Sequence, residues 1–106
     1  MRAVTEQLIQ EAMLALRAAA PDATIILIGS RARGDARPDS DVDFLVVEPS
    51  VAARRREMVR LKDAIRPLQI AADVVVVSRR NFEEWTDVPG TLIYEVVREG
   101  RVLHAA

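Results

Sequence analysis

The sequence predicts an α/β protein of the α+β type, with a small β-sheet covered mainly on one face by helices. Short apolar runs rich in valine and isoleucine alternate with amphipathic stretches, which gives the order α, β, loop, β, α, β, α, α, β. Of the 106 residues, 50% are hydrophobic and 4% are aromatic, which is enough apolar material for one buried core. We therefore expect a single domain over residues 1–106.

The first half of the chain is predicted to contain one helix and two strands. Apolar residues at four-residue spacing near the N-terminus indicate an amphipathic helix, which Thr5 caps and Pro21 ends. The β-branched run at 24–28 has no polar interruption, which is typical of a strand buried on both faces. A loop at 29–40, with room for one helical turn, leads to the second strand at 41–47.

The second half of the chain is predicted to hold the remaining helices and strands. Pro49 and Ser50 supply a helix start, and Pro67 ends that helix. Only Asp73 interrupts the apolar run of the third strand. The predicted elements are a helix at 51–65, a strand at 70–77, a short helical piece that Ser78 caps, a helix at 91–99 and an edge strand at 101–104.

Composition excludes several classes of protein. Fifteen basic and sixteen acidic residues give a net charge of -1, which is not the electrostatic footprint of a dedicated nucleic-acid binder. The arginine-rich stretch at 51–66 is expected to be a solvated helix face, with contact to RNA or an acidic partner as the alternative. The absence of cysteine excludes disulfides, thiolate metal sites and a cysteine nucleophile. Without a signal peptide or an apolar run of roughly 20 residues, we expect a soluble cytoplasmic protein that does not bind a membrane.

Three aspartates are the main candidates for chemistry. Because strand side chains alternate, Asp41 and Asp43 point to one face, roughly 6.5 to 7 Å apart. A neighbouring strand would bring Asp73 to the same point if the register allows. Carboxylates this close raise each other's pKa, and Mg²⁺ with oxygen ligands would neutralise them. The structural alternatives are a turn cap for Asp41, an ion pair of Asp43 with Arg31 or Arg33, and an arginine partner for Asp73.

The Gly29-Ser30 turn supplies the other half of the predicted site. Glycine lets the backbone approach a ligand closely, and turn amides together with the Ser30 hydroxyl can donate to phosphate oxygens. Phosphate next to metal implies phosphoryl transfer, in which two ions roughly 3.5 to 4 Å apart activate the attacking oxygen and stabilise the leaving pyrophosphate.

Two other motifs resemble parts of this segment and fail on inspection. The glycine spacing from Gly29 matches a phosphate-binding P-loop, but Asp35 and Ala36 stand where lysine and serine or threonine are required. The run DSDVDF imitates the start of an EF-hand loop, yet Phe44 takes the glycine position and Ser50 the glutamate position.

The pattern of Gly29-Ser30, ten intervening residues and then Asp41-Val42-Asp43 resembles the GS-x10-D-x-D signature of the DNA polymerase β nucleotidyltransferase superfamily. The string GSRARGDARPDSDVDFLVV is similar to the minimal nucleotidyltransferase (MNT) branch, whose members pair with HEPN-domain proteins in prokaryotic toxin–antitoxin systems. The core resemblance covers residues 24–77. It implies a mixed sheet of the polymerase β type, whereas the apolar runs alone equally permit a parallel one.

The resemblance also assigns roles to individual residues. Asp41 and Asp43 would be metal ligands, and Asp73 would be the third catalytic carboxylate, which ligates metal and activates the attacking hydroxyl. Gly29 and Ser30 would bind the nucleoside triphosphate. Arg33 and Ser40 would also belong to the nucleotide-binding set, by shaping the loop or contacting phosphate.

These observations predict a Mg²⁺-dependent nucleotidyltransferase, an enzyme that moves AMP from ATP to a hydroxyl. It would use one or two Mg²⁺ ions, and the family resemblance favours two. The resemblance implies that the acceptor is a tyrosine of a HEPN toxin in a hetero-oligomer, so that the protein is an antitoxin acting by adenylylation. Two alternatives stay open: an antitoxin that neutralises its partner by binding alone, and transfer to a small molecule or RNA with a separate subunit. A homodimer is compatible with all of them.

Overall fold

The structure is a computed structural model that describes residues 2–106. In chain order, its elements are α1 (Glu6–Ala19), β1 (Thr24–Ile28), α2 (Ser30–Arg33), β2 (Val42–Glu48), α3 (Arg54–Ile65), a 3-10 turn (Arg66–Leu68), β3 (Ala72–Ser78), α4 (Arg79–Trp85), α5 (Leu92–Glu99) and β4 (Arg101–His104). The four strands form one sheet in the order β3-β2-β1-β4.

The sheet is mixed. Strand β1 is antiparallel to both of its neighbours, β2 and β4. Strands β2 and β3 are parallel, because α3 crosses over between them and returns the chain to the same end of the sheet. This confirms the mixed sheet implied by the family resemblance and excludes the all-parallel sheet that the apolar runs alone permitted.

Local capping explains where three helices begin. The Thr5 hydroxyl accepts a hydrogen bond from the backbone N–H of Leu8 at 3.1 Å, as predicted from the sequence. Ser78 and Thr91 cap α4 and α5 in the same way. The prediction for α3 was wrong at its start, because the helix begins at Arg54 and the residues from 49 to 53 precede it.

The segment before α3 stays outside the helix for an identifiable reason. Val51 packs against the hydrophobic core, which fixes the chain there before the helix starts. No side chain caps α3, since Ala53 occupies the N-cap position. The predicted second and third strands are also shifted by one or two residues: β2 extends to Glu48, and β3 begins at Ala72.

The two faces of the sheet carry different helices. On one face, α1 and α3 cover alternate residues of the central strands, including the fully buried Leu27 and Phe44. On the other face, Phe82 of α4 and Val96 and Val97 of α5 pack on a smaller apolar cluster, whose buried members are Ile26, Ile28, Leu45 and Val47. The two longest helices thus share one face. Strand β1 is buried on both faces, as predicted, and so is most of β2, whereas β3 is buried mainly on the face of α1 and α3.

The helices of residues 2–106 are too short or too polar to span a lipid bilayer.

Candidate active site

Asp41 and Asp43 flank the first residue of β2. The backbone N–H of Val42 donates to the carbonyl of Ala71 at 3.0 Å, which fixes the start of the strand. The Val42 side chain is fully buried in the core beneath α1 and α3. Because side chains alternate along a strand, Asp41 and Asp43 are directed to the opposite face of the sheet, on the side that carries α4 and α5.

The sheet register sets Asp43 beside Asp73. In the parallel pairing of β2 and β3, Asp43 lies opposite Asp73, and on its other side Asp43 lies opposite Ile28 of β1. Neighbouring strands are about 4.8 Å apart, so the two carboxylates share one row across the sheet. The condition on register that the sequence left open is therefore met.

The three carboxylates form an open set. Within residues 2–106, no three aspartate, glutamate, histidine or cysteine side chains converge closely enough to hold a metal ion by themselves. Mg²⁺ commonly takes only one or two protein carboxylates and completes its shell with water and substrate phosphates. The donor set therefore fits a hard cation that arrives with a phosphate ligand.

The electrostatics of Asp43 also favour a cation. Burial raises the pKa of the Asp43 carboxyl, and the negative charges of Asp73 and Asp41 raise it further. The positive charge of Arg33 acts in the opposite direction and does not cancel these effects. Asp43 therefore keeps negative charge that Arg33 does not cancel, and a divalent cation would relieve it.

The structural alternatives for these aspartates are only partly met. Among the described residues, Asp43 has no ion pair with Arg31 or Arg33. Asp73 is exposed, and its carboxylate lies 3.7 Å from the ammonium of Lys62 on α3. An exposed pair at this distance contributes little stability and can open at little cost when a ligand binds.

Gly29 lies directly under the Asp43 carboxylate. Its φ of 75° is in the left-handed region, and a Cβ atom built on it would lie 2.5 Å from Oδ2 of Asp43. Any other residue would strain the backbone and displace the carboxylate. The turn at the end of β1 and the carboxylate of β2 are thus packed as one unit, with the half-buried Ser30 following at the start of α2.

The other two predicted nucleotide-binding residues are in the loop between these strands. Arg33 is exposed and pairs with Asp35 at 3.2 Å and with Glu99 of α5 at 3.3 Å. The Ser40 hydroxyl accepts a hydrogen bond from the backbone N–H of Arg37 at 2.9 Å. In this structure, Ser40 shapes the loop, and Arg33 links it to α5.

A groove opens on the same face of the sheet. Its volume is about 670 Å³, and its floor includes Ile28, Leu45 and Val75. Leu45 and Val75 are each two residues beyond an aspartate of the site, so the groove begins about 7 Å from the carboxylates. The exposed Trp85 and Leu92 stand at its mouth, with exposed fractions of 46% and 72%.

Residues 9–104 match the model of the nucleotidyltransferase domain family. The chain belongs to this family. The resemblance drawn from the spacing of Gly29-Ser30 and the two aspartates is thereby confirmed, since all the predicted site residues lie within the matched segment. No curated protein matches the chain.

Solved structures with the same fold extend this result. A protein from Sulfolobus solfataricus assigned as a nucleotidyltransferase has a TM-score of 0.64 at 21% identity, with 91% of this domain and 76% of that chain covered. A toxin–antitoxin structure with AMP-PNP has a TM-score of 0.64 at 18% identity and coverages of 92% and 73%. A complex of the tri-AMPylated Shewanella oneidensis HEPN toxin with its MNT antitoxin has a TM-score of 0.59 at 20% identity and coverages of 96% and 74%. At these identities, the likeness is one of fold.

Sequence reasoning missed Lys62 and Glu99 near the site, and it considered Arg31 only as an ion-pair partner of Asp43. Arg31 donates to several backbone carbonyls of the loop before β2. Lys62 and Glu99 reach Asp73 and Arg33 from helices that are distant in the chain. Charged residues on exposed helix faces are common, so the sequence holds no local signal that singles out these two.

Proposed function

We propose that this nucleotidyltransferase domain transfers AMP from ATP to a hydroxyl group on a protein partner. The observation that carries the proposal is the packing of Asp43 on Gly29 and opposite Asp73. It joins a phosphate-binding type of turn to a pair of carboxylates in one rigid unit. The negative charge left at Asp43 fits the cation requirement of such a reaction.

The reaction gives each residue of the site a task. The Gly29-Ser30 turn would bind the triphosphate and hold its α-phosphorus over the carboxylates. The acceptor oxygen attacks the α-phosphorus and forms a new oxygen–phosphorus bond. The bond between the α-phosphorus and the oxygen that joins it to the β-phosphate breaks, so that pyrophosphate leaves. Asp73, which is exposed on the side open to an acceptor, takes the hydroxyl proton.

Asp41, Asp43 and Asp73 would hold the Mg²⁺ ions, of which the family resemblance implies two. When bound, they supply Lewis-acid polarisation of the phosphoryl oxygens and charge neutralisation at the leaving group. The chain's own contribution is to fix the spacing of these carboxylates through the backbone ladder of β2 and β3.

The acceptor that we propose is a tyrosine of a HEPN toxin, with this protein as the antitoxin in a hetero-oligomer. The AMPylated HEPN toxin found with an MNT antitoxin of the same fold supports this choice. So does the apolar groove that starts beside the carboxylates, because it offers a surface on which a partner could present a side chain to Asp73.

The direct test is transfer of label from ATP labelled at the α-phosphate. The protein is incubated with Mg²⁺ and a HEPN-domain protein encoded beside it, and label on a tyrosine of that partner is measured. We expect labelling by the wild type and a loss of at least about 100-fold in Asp43→Asn. The matched control is Asp39→Asn, which removes the same charge from the exposed part of the loop and keeps activity. Equal labelling by Asp43→Asn would exclude catalysis at this site.

A second candidate function is neutralisation of the toxin by binding alone. It is favoured by the exposed Trp85 and Leu92, which are large apolar side chains at the mouth of the groove. In cells that express the toxin, rescue by the double variant Asp41→Asn/Asp43→Asn would support binding alone. Rescue that is lost with these aspartates and retained in Asp39→Asn would support catalysis. Transfer to RNA is disfavoured by the net charge of -1.

A further inference from the structure

The loop that ends at Asp41 has little regular structure, and the side chain of Arg31 contacts three of its backbone carbonyls. We infer that Arg31 is a positioning residue, which sets the place of Asp41 by clamping the carbonyls that precede it. The inference rests on the proposed metal-dependent transfer, since it assigns Arg31 to the organisation of that same site.

The guanidinium of Arg31 makes the contacts. Its Nη2 donates to the carbonyl oxygens of Arg37 at 3.2 Å, Pro38 at 3.3 Å and Ser40 at 2.9 Å. Its Nη1 lies 3.5 Å from the carbonyl of Val4, in the segment before α1. One side chain of α2 thus gathers three carbonyls of the loop at a single nitrogen and ties the loop to a distant part of the chain.

These contacts act on Asp41 through its backbone. The carbonyl of Ser40, immediately before Asp41, is held by Arg31, and the N–H of Val42, immediately after it, is held by Ala71. The peptide groups on both sides of Asp41 are therefore fixed. If the first contact is lost, only the strand side remains, and the carboxylate of the exposed Asp41 can move away from Asp43.

The chemistry of arginine suits this task. A planar guanidinium carries N–H donors on two terminal nitrogens, so one side chain contacts the loop carbonyls through Nη2 and the Val4 carbonyl through Nη1. A lysine ammonium has one nitrogen and could contact only one of these two sides. Nε of Arg31 is buried and has no hydrogen-bond partner among the described residues. A buried donor without a partner is unfavourable, and the clamp made by the other nitrogens explains why the side chain is nevertheless kept in this position.

Arg31 also connects the two halves of the site. It belongs to α2, the turn of helix that starts directly after Gly29, and Gly29 packs on Asp43. Through Arg31, the segment that would bind phosphate and the loop that carries Asp41 move together. A shift of α2 on nucleotide binding would therefore carry Asp41 with it.

The test is a double-mutant cycle on Mn²⁺ affinity, measured by electron paramagnetic resonance in the presence of a non-hydrolysable ATP analogue. We expect Arg31→Met, which has a side chain of similar length and no N–H donor, to weaken Mn²⁺ binding about 10-fold or more, the size typical of residues that orient a metal ligand. In the Asp41→Asn background, the same change should have less than about a twofold effect, because its action passes through Asp41. The control is Arg37→Ala, which removes an equal charge from the loop and leaves the clamp intact.

The outcomes separate the inference from the proposed function. Unchanged affinity in Arg31→Met, or an equal loss in both backgrounds, overturns the role of Arg31 while wild-type binding upholds the metal site. A wild type that binds no Mn²⁺ overturns both. If Arg31→Met does not fold, Arg31→Gln replaces it in the cycle, because the shorter side chain keeps polarity and does not span the contacts to the loop and to Val4. A loss confined to the background with Asp41 then supports the clamp.

Discussion

The two ends of β2 carry two groups of carboxylates, and the negative charges of the two groups are compensated differently. At the start of the strand, Asp41 and Asp43 face the open side of the sheet beside Asp73. At its end, Glu48 is 9% exposed and lies next to Glu57 of α3. Both groups bring like charges together on or beside the same strand, so the difference between them lies in how the charge is compensated.

The group at the end of β2 is neutralised from within the chain. Arg60 donates two hydrogen bonds of 2.7 Å to Glu57 and a third of 2.8 Å to the carbonyl of Ala19 on α1. The Arg60 guanidinium and a hydrogen bond from Glu48 lower the pKa of Glu57 to about 2. Burial, followed by the hydrogen bond and the charge of Glu57, raises the pKa of Glu48 to about 7. Arg60 thus compensates the charge of Glu57, while Oε2 of Glu48 is buried without a hydrogen-bond partner among the described residues.

The group at the start of β2 lacks an equivalent arginine in contact. Arg33 is near enough to act on Asp43 through space, but its hydrogen bonds go to Asp35 and Glu99. Within the part of the chain that the structure describes, only the exposed Lys62, 3.7 Å from Asp73, pairs with this group. The comparison teaches that a carboxylate cluster is structural where a hydrogen-bonded arginine compensates it, and is open to a ligand where the nearest cation is an exposed and weakly held side chain.

The largest expected effect comes from Gly29→Ala. The added Cβ would displace the Asp43 carboxylate, so we expect transfer activity to fall by at least about 100-fold, with a loss of about 1 to 2 kcal/mol in the free energy of unfolding from the positive φ. Gly34→Ala is the matched control, because Gly34 has a φ of 83° and nothing within 4 Å of its Cβ position. Equal activity losses in both variants would show that backbone strain, and not the contact with Asp43, is responsible.

The second prediction concerns the carboxylate group at the end of β2. Arg60→Ala removes the cation of Glu57 and the tie to α1, and we expect the free energy of unfolding to fall by about 1 to 2 kcal/mol in urea denaturation. Activity should be unchanged, because the cluster is at the far end of β2. Arg66→Ala removes an exposed partner of Asp63 and should cost less than about 0.5 kcal/mol. If the two variants lose the same stability, Arg60 is no more than a surface ion pair.

The third prediction concerns pH. The folded-state pKa of Glu48 is raised to about 7, so its stabilising contribution is complete below its unfolded value of about 4.3 and is lost as pH rises through 7. Glu57 has a lowered pKa of about 2, and its contribution is lost only as pH falls through 2. Between pH 5 and pH 7, we therefore expect wild-type stability to decline by roughly 1 to 2 kcal/mol relative to Glu48→Gln. Parallel stability profiles of the two proteins would contradict this.

The smallest expected effect is a gain in stability. Because burial and neighbouring charges raise the pKa of Asp43, its ionised form is unfavourable at neutral pH in the absence of a cation. Asp43→Asn should therefore stabilise the metal-free protein by about 0.5 kcal/mol, a value kept small by the openness of the site to water. Mg²⁺ with an ATP analogue should raise the melting temperature of the wild type and leave the variant unchanged. A variant less stable than the wild type would contradict the charge argument.

What the sequence could predict was local. The caps at Thr5, Ser78 and Thr91 were predictable because a hydroxyl three residues before a backbone N–H needs no information from the rest of the chain. The common face of Asp41 and Asp43 followed from strand periodicity in the same way. The family match then agreed with the motif, which lies within the matched residues 9–104.

What the sequence could not predict depends on contacts between distant segments. The start of α3 was wrong because Val51 is held by the core and not by a cap. Glu48 was placed outside the second strand because its polarity indicates a surface position, whereas α3 covers it with Glu57 and Arg60. The clamp of Arg31 leaves no sequence signal, because backbone carbonyls can accept from any donor that the fold brings to them.

The in-register pairing of β2 and β3 has a consequence for folding fidelity. A slip of β3 by one residue would turn Asp73 toward α3 and send apolar neighbours such as Val74 to the open face. An unpaired carboxylate buried there would cost several kcal/mol, so the misaligned sheet is strongly disfavoured. The mutual repulsion of Asp73 and Asp43 lowers the stability of the correctly aligned sheet. Misalignment would lower it far more, so the residues proposed for catalysis also favour the correct strand register.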